Sequence, residues 1–489
     1  MKRIARTGLA AVLAASLAAG CARIAPQEAF DDVAYDVGSR INKRIQWDSG
    51  TDDDRDARTA VRAMLSRQLT PASAVQVALL NNRELQAAYA GIGMAQANLV
   101  QAGLLRNPVF DGAVTWYADA GGTPNLAFGV AWSFIDLLKR PRRKAVARSA
   151  LEETKLRVAR QVIEHAADTH AAFIDYVAAM EEIDMLKSIT QTAKANAKAA
   201  AALREAGNIT ELQFEQNQNF LTTAKLQLAQ AEARGDELRE RLNVLMGLTG
   251  AQTYWSAPHK LPGLPAGMVR AGNVEARAVR SSLDIVIARQ KLTTLGRQFR
   301  LVRRESLLRD VESGAEYERE IEVEENEDTG AKEKTKRRAW GPVFEVEIPI
   351  FDHGQARKAG VLMQIRQAED ELWALAVRVR SSARLSRARL LTAAKTVDYF
   401  EKAVIPQNER ILRNMQRDYN AMQESVFRLI AARRQQITAG QQRIQAQRAY
   451  WNAFVRFEQL MSGALPGGTD AGGMEIASAQ PAGGEGGGH

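Results

Sequence analysis

Read along its length, the chain alternates between two hydrophobic periods. Phe214, Leu221, Leu228, Gly235 and Leu242 recur every seven residues, and Ala224, Ala231, Leu238 and Leu245 fall three places after the last four of them, which is a coiled-coil seam of period 3.5. A second seam of smaller residues runs through Ala439, Ala446, Ala453 and Leu460, and small side chains let helix axes approach closely. Arg143 to Glu205, if one helix, is roughly 95 Å long at about 1.5 Å per residue, far more than a compact domain needs. Pro406 should kink the corresponding helix further along. A soluble coiled-coil rod satisfies this periodicity equally well.

Between the helical stretches the period drops to two. From Asn125 to Phe134 one face carries Leu126, Phe128, Val130, Trp132 and Phe134, while the other carries Asn125, Ala127, Gly129, Ala131 and Ser133. Further on, Trp340, Phe344, Val346 and Ile348 alternate with Glu345 and Glu347. Ala315, Tyr317, Ile321 and Val323 alternate with Glu316, Glu318, Glu320, Glu322 and Glu324, and Arg319 interrupts the apolar face. Runs of about ten residues with one apolar and one polar face suit a transmembrane β-barrel, where one side meets lipid and the other a watery lumen. Four such strands cannot close a barrel, and an open edge in hydrocarbon leaves amides unsatisfied at several kcal/mol each. If the strands are in a membrane, the chain must oligomerise. A half-exposed sheet on a soluble domain would explain the alternation alone.

The pattern is duplicated. Arg143-Lys144-Ala145 leads through a long helical stretch to Leu245-Met246-Gly247, and Arg357-Lys358-Ala359 leads through another to Leu460-Met461-Ser462-Gly463. Residues 71–257 form a first repeat and 273–463 a second, each read as a helix (about Pro71 to Leu105, about Asn273 to Leu308), two strands (about 109–134, about 311–349) and a long helical hairpin. A Pro/Gly-rich linker at 258–272 joins them, and 464–489 reads as a disordered tail. The first β-hairpin turns through Ala120-Gly121-Gly122-Thr123, the second through a charged turn from Glu325 to Lys336. Both turns should lie on the far side from the helices, outside the cell. There the basic group Lys332, Lys334, Lys336, Arg337 and Arg338 could meet lipopolysaccharide phosphates or simply be solvated.

Composition narrows the choice. With 25% charged residues, no run beyond the first twenty residues is apolar enough over about 18 positions to cross a bilayer as a helix. The formal charge of +9 includes Lys2, Arg3 and Arg6, and the remainder is too mild to argue for nucleic acid. One cysteine rules out a disulfide framework, five scattered histidines offer little for a metal centre, and no cofactor motif is present. His165 and His170, five apart, read as surface or seam residues. Residues 1–20, basic and then apolar from Leu9 to Ala19, read as an export signal. The sole cysteine, Cys21, follows Leu17-Ala18-Ala19-Gly20 and resembles the lipobox cysteine of bacterial lipoproteins, which is acylated; an ordinary cleavage site is the alternative. That resemblance makes 21–70 a lipid-anchored N-terminal segment, and Ala22, not being Asp, implies sorting to the outer membrane.

Over nearly the whole mature chain the sequence resembles the TolC family of outer-membrane efflux proteins. The carriers are LTPASAVQVALLNNRELQAAYAGIGMAQANLVQAGLLRNPVF, with Arg83 where proline is usual, SFIDLLKRPRRKA and IPIFDHGQARKAG at the two barrel-to-helix transitions, and VIPQNERIL around Pro406. The resemblance implies a mainly α protein with a transmembrane β-barrel. Its homotrimer pools four strands per chain into a 12-stranded barrel continued by a coiled-coil α-barrel in the periplasm. It implies a passive, non-enzymatic duct without cofactors, joined to a periplasmic adaptor and an inner-membrane pump, expected to be proton-driven, anchored to outer-membrane lipid and not to nucleic acid. The family's helical tips map to Gly207, Thr210 and Leu212, and to Ser425 and Phe427; Met422 stands where glycine is usual, and Arg428 and Ala431 stand where some members carry an aspartate ring.

Glu316, Glu318, Glu345 and Glu347, facing a lumen and multiplied by oligomerisation, would form acidic rings that favour cations. Metal-ion or cationic-drug efflux would suit such a bias. A type I protein-secretion duct and a soluble periplasmic coiled-coil scaffold remain as rival functions.

Overall fold

The computed structural model describes residues 25–116, 124–265, 272–306, 311–325, 332–347 and 350–467. The expected export signal at 1–20, Cys21, the first turn at 120–123, Ile348 and residues 468–489 lie outside them. The described residues begin with two helices, α1 (Pro26–Ile41) and α2 (Asp52–Leu65). α1 turns Ala29, Phe30, Val33 and Val37 inward, and the Phe30 ring meets Tyr89 edge-on at 5.1 Å. α2 is started by Asp54, whose Oδ2 accepts from the amides of Ser49, Gly50 and Thr51.

Each repeat opens with a helix that breaks once, where the sequence suggested continuity. In the first, α3 (Pro71–Asn81) and α4 (Arg83–Ala102) meet at Asn82, which is extended (φ −70°, ψ 127°) and accepts from the amides of Glu84 and Leu85. In the second, α7 (Val274–Ser281) and α8 (Leu283–Glu305) meet at Ser282, also extended, which accepts from Ile285 N. A short polar side chain here competes with the helix ladder and restarts it as an N-cap.

Both breaks receive the end of a long hairpin. The first hairpin is α5 (Ile135–Glu205), 71 residues without interruption, and α6 (Glu211–Met246). α6 ends at Gly247 (φ +65°), where an added Cβ would lie 2.8 Å from the Asn81 carbonyl. Asn81 and Asn82 donate to the last carbonyls of α6, those of Met246, Gly247 and Leu245. The second hairpin is α9 (Gln355–Tyr399), a π turn at Phe400–Val404, α10 (Ile405–Asn420) and α11 (Val426–Ser462). Its last helix ends at Gly463 (φ +113°), whose carbonyl accepts from Leu283 N, while Arg40 donates to the carbonyls of Ser281 and Ser462. The π turn sits just before Pro406: a proline has no N–H and clashes with the carbonyl four residues earlier, and one extra residue in the turn relieves both.

Every position of the predicted α6 seam is buried or half-buried, as are Ala439, Ala446, Ala453 and Leu460. Close approach is visible at Gly235, where a Cβ would lie 2.8 Å from Ile183 Cδ1. The two repeats are stitched along α5 and α11 by three ion pairs, Asp168 with Arg456 (2.8 Å), Asp175 with Arg448 (2.6 Å) and Glu181 with Arg443 (2.7 Å). The linker packs beside them: Leu261 is buried and its amide donates to Glu181, and Trp451 donates to the Pro262 carbonyl. The chain also stays packed past Gly463, with Ala464 fully buried and Leu465 N bonded to Asp284, so those residues are not a loose tail.

Candidate functional site

Four strands form one antiparallel sheet in the order β1 (Val109–Thr115), β2 (Asn125–Ser133), β3 (Val311–Glu325) and β4 (Lys332–Val346). Of the charged turn expected from Glu325 to Lys336, Glu325 and the residues from Lys332 to Lys336 are instead ladder, since the β3–β4 register runs on to Glu325 opposite Lys332; 326–331 lie outside the described residues. Opposite charges across the ladder, such as Glu320 facing Arg337, support the longer pairing. β1 and β4 are the edges, and among the described residues neither has a partner strand on its outer side.

The register settles the faces. Phe110, Val114, Leu126, Phe128, Val130, Ala315, Tyr317, Trp340, Phe344 and Val346 share one side of the sheet. Trp340 is 86% exposed and Phe344 70% in the single chain, so among the described residues nothing covers these two side chains. The other side holds Glu316, Glu318, Glu320 and Glu345 as the alternation predicts, and also Asp111 and Glu312, which the sequence reading did not single out. Continuing the β3 alternation back past Gly314 would have found Glu312; Asp111 lies on β1, where no alternation was traced. Glu312 lies directly opposite Glu345. Two like charges in that position repel, and only water and counter-ions make the pairing tolerable. Glu347 follows the end of β4. Gly129 leaves room for the Asp111 carboxylate, which a Cβ there would push aside.

The hairpin tips carry the other expected residues. Gly207 (φ +73°) ends the turn after α5, and Thr210 caps α6, accepting from Gln213 N while Gln213 Oε1 accepts from Thr210 N. Leu212 is 63% exposed. At the second tip Met422 adopts the left-handed conformation (φ +57°) that glycine usually fills, and its side chain is exposed. Ser425 precedes α11 without a side-chain cap; Phe427 is half-buried; Arg428 pairs with Glu424 at 2.7 Å. The two hairpins meet near these tips through Phe220, Ala224, Ile430 and Ile437.

No described helix is long and apolar enough to cross a membrane. Among the described residues no cluster of three or more His, Cys, Asp or Glu could hold a metal. His165 bonds the Leu245 carbonyl, and burial, with Lys43 nearby, holds His170 down at about 4.

No family model and no curated protein matches the sequence. Solved structures do. The Campylobacter jejuni CmeC outer membrane channel is 15% identical, with a TM-score of 0.65 over 87% of this chain and 90% of that one. CusC, described as forming a transmembrane channel, is 12% identical with a TM-score of 0.64 over 81% and 92%. The outer membrane protein VceC of Vibrio cholerae is 13% identical with a TM-score of 0.61 over 84% and 97%. The duplicated helical hairpins and the single four-stranded sheet thus together make up the fold of the TolC-type outer-membrane channels.

Proposed function

We propose that the chain is the outer-membrane exit duct of a tripartite efflux system, working as a homotrimer. Three sheets would join edge to edge, β1 of one protomer to β4 of the next, leaving no unpaired amides in hydrocarbon. The observation that carries this reading is the two-faced sheet with open edges: the strand aromatics all on one side, carboxylates on the other. Trp373 and Val377, one turn apart on α9 and 72% and 61% exposed, offer an apolar face of the kind a neighbouring protomer covers. Cys21 is the acylated residue that anchors the chain to the outer membrane. The tips around Gly207, Thr210, Leu212, Ser425, Phe427 and Arg428 meet a periplasmic adaptor, which links the duct to an inner-membrane pump. The duct is passive and uses no cofactor.

Glu312, Glu316, Glu318, Glu345 and Glu347 in three copies concentrate cations in the barrel. Reconstitution in planar bilayers tests the whole reading. Cation-selective single-channel conductance is expected, and Glu345→Lys with Glu347→Lys should shift selectivity toward anions. A monomer without conductance would end the channel reading; a conducting trimer whose selectivity ignores the reversal would end only the electrostatic part.

A further inference from the structure

The apolar side of the β3–β4 ladder stops abruptly. Read from the helix end, its rungs are Val346 with Val311, Phe344 with Ser313, Pro342 with Ala315, and Trp340 with Tyr317; the next are Arg338 with Arg319 and then Lys336 with Ile321. Strand parity keeps Arg319, Lys336 and Arg338 on the same face as Trp340 and Phe344, whereas Arg337, one residue away, lies on the acidic side opposite Glu320. Aromatic side chains such as Trp340 and Tyr317 mark the level where hydrocarbon gives way to headgroups. The three basic residues therefore sit just above the apolar band, on its lipid side.

We infer that Arg319, Lys336 and Arg338 bind the phosphate groups of the phosphorylated glycolipid headgroups in the outer leaflet, an inference that rests on the channel reading above. Arg319 and Arg338 face each other directly, a repulsive pairing that an anion between them would reverse. None of the three has an ion-pair partner among the described residues. Arg319 spends one Nη2 bond on the Pro124 carbonyl at 3.0 Å, and its buried Nε has no partner. Lys336 and Arg338 are exposed. Guanidinium groups match phosphate with paired N–H donors, and the nearest ladder carboxylates, Glu318 and Glu320, lie across the sheet. β3 and β4 continue beyond Leu126, the last β2 residue paired with β3, and carry Lys336 past that level.

Each basic residue at an anionic membrane surface is worth about fivefold in affinity, or about a hundredfold for three. The test uses the purified trimer in neutral detergent and titrates bisphosphorylated lipid A by native mass spectrometry. Wild type should bind about a hundredfold more tightly than Arg319→Gln/Lys336→Gln/Arg338→Gln, and Arg337→Gln should bind like wild type. Lipid A stripped of phosphate should bind wild type and triple variant alike. Inorganic phosphate at the lipid's concentration should displace nothing; displacement would overturn the lipid as source. Equal binding by wild type and the triple variant, or an equal loss in Arg337→Gln, would overturn the site. Should the triple variant fail to assemble, Arg338→Gln alone, on an exposed side chain, should weaken binding about fivefold, and no change would count against the proposal. Conductance of the same samples in phosphatidylcholine bilayers separates the two readings: conducting trimers that bind lipid A indifferently defeat the headgroup site alone, and silent ones defeat the channel.

Discussion

Replacing Asn82 with alanine removes four hydrogen bonds at one point of the fold. Its Oδ1 accepts from the amides of Glu84 (2.8 Å) and Leu85 (3.1 Å), and its Nδ2 donates to the carbonyls of Leu245 (3.0 Å) and Val244 (3.4 Å). The residue is only 4% exposed, so water does not replace these partners. A lost N-cap costs about 1 kcal/mol and a buried carbonyl left without its donor about 1–3 kcal/mol, so about 3 kcal/mol is expected. Ser282, at the equivalent break, makes only the cap to Ile285 N at 3.3 Å, because Arg40 serves the neighbouring carbonyls; Ser282→Ala should cost about 1 kcal/mol. A membrane oligomer of this size is not a two-state unfolder, and local hydrogen exchange is the suitable measurement. Amides at 83–87 and around Gly247 should exchange about a hundredfold faster in Asn82→Ala, against about fivefold at 283–287 in Ser282→Ala. Equal acceleration in the two variants, or unchanged exchange near Gly247, would refute the reasoning.

Gly463→Ala should destabilise by about 2 kcal/mol or more, since φ is +113° and the new methyl would press on the Ser281 carbonyl; Gly207→Ala, left-handed but facing open space, should cost about 1 kcal/mol and leave assembly intact, as thermal dissociation of the oligomer would read out. His170 is held neutral to about 4 in the fold against 6.5 for the free side chain, first by burial and then by Lys43. The unfolded chain therefore binds the extra proton between those values, and stability should fall as pH drops from 6.5 toward 4 and level off below. In His170→Gln the thermal midpoint should lose most of that slope; an identical pH profile would remove His170 from the account.

The sheet and the seams were legible in the sequence because burial and strand parity write themselves into a period. Phe128, Val130, Tyr317, Trp340 and Phe344 had to share a side, and Leu228, Gly235 and Leu242 had to face a neighbour, whatever the rest of the chain did. The breaks at Asn82 and Ser282 were hidden because both residues occur inside apolar helical runs, and their capping partners are ordinary amides. What identifies them is the arrival of Gly247 and Gly463, residues distant in sequence. The π turn before Pro406 was half visible: proline announced a disturbance but not its form. The start of β4, from Lys332 to Lys336, was misread as part of a turn because charge density imitates a loop when the partner strand is unknown. The tip turn at Met422 was flagged by the missing glycine, and the left-handed backbone is kept without it.

The two long hairpins differ mechanically. α5 is an unbroken strut, whereas its counterpart carries a joint at Phe400–Val404, where the helix is underwound by one residue and the Asn408 side chain ties back to the Val404 carbonyl. A bending load shared by both would concentrate its strain at that joint, leaving one arm as fulcrum and the other as lever.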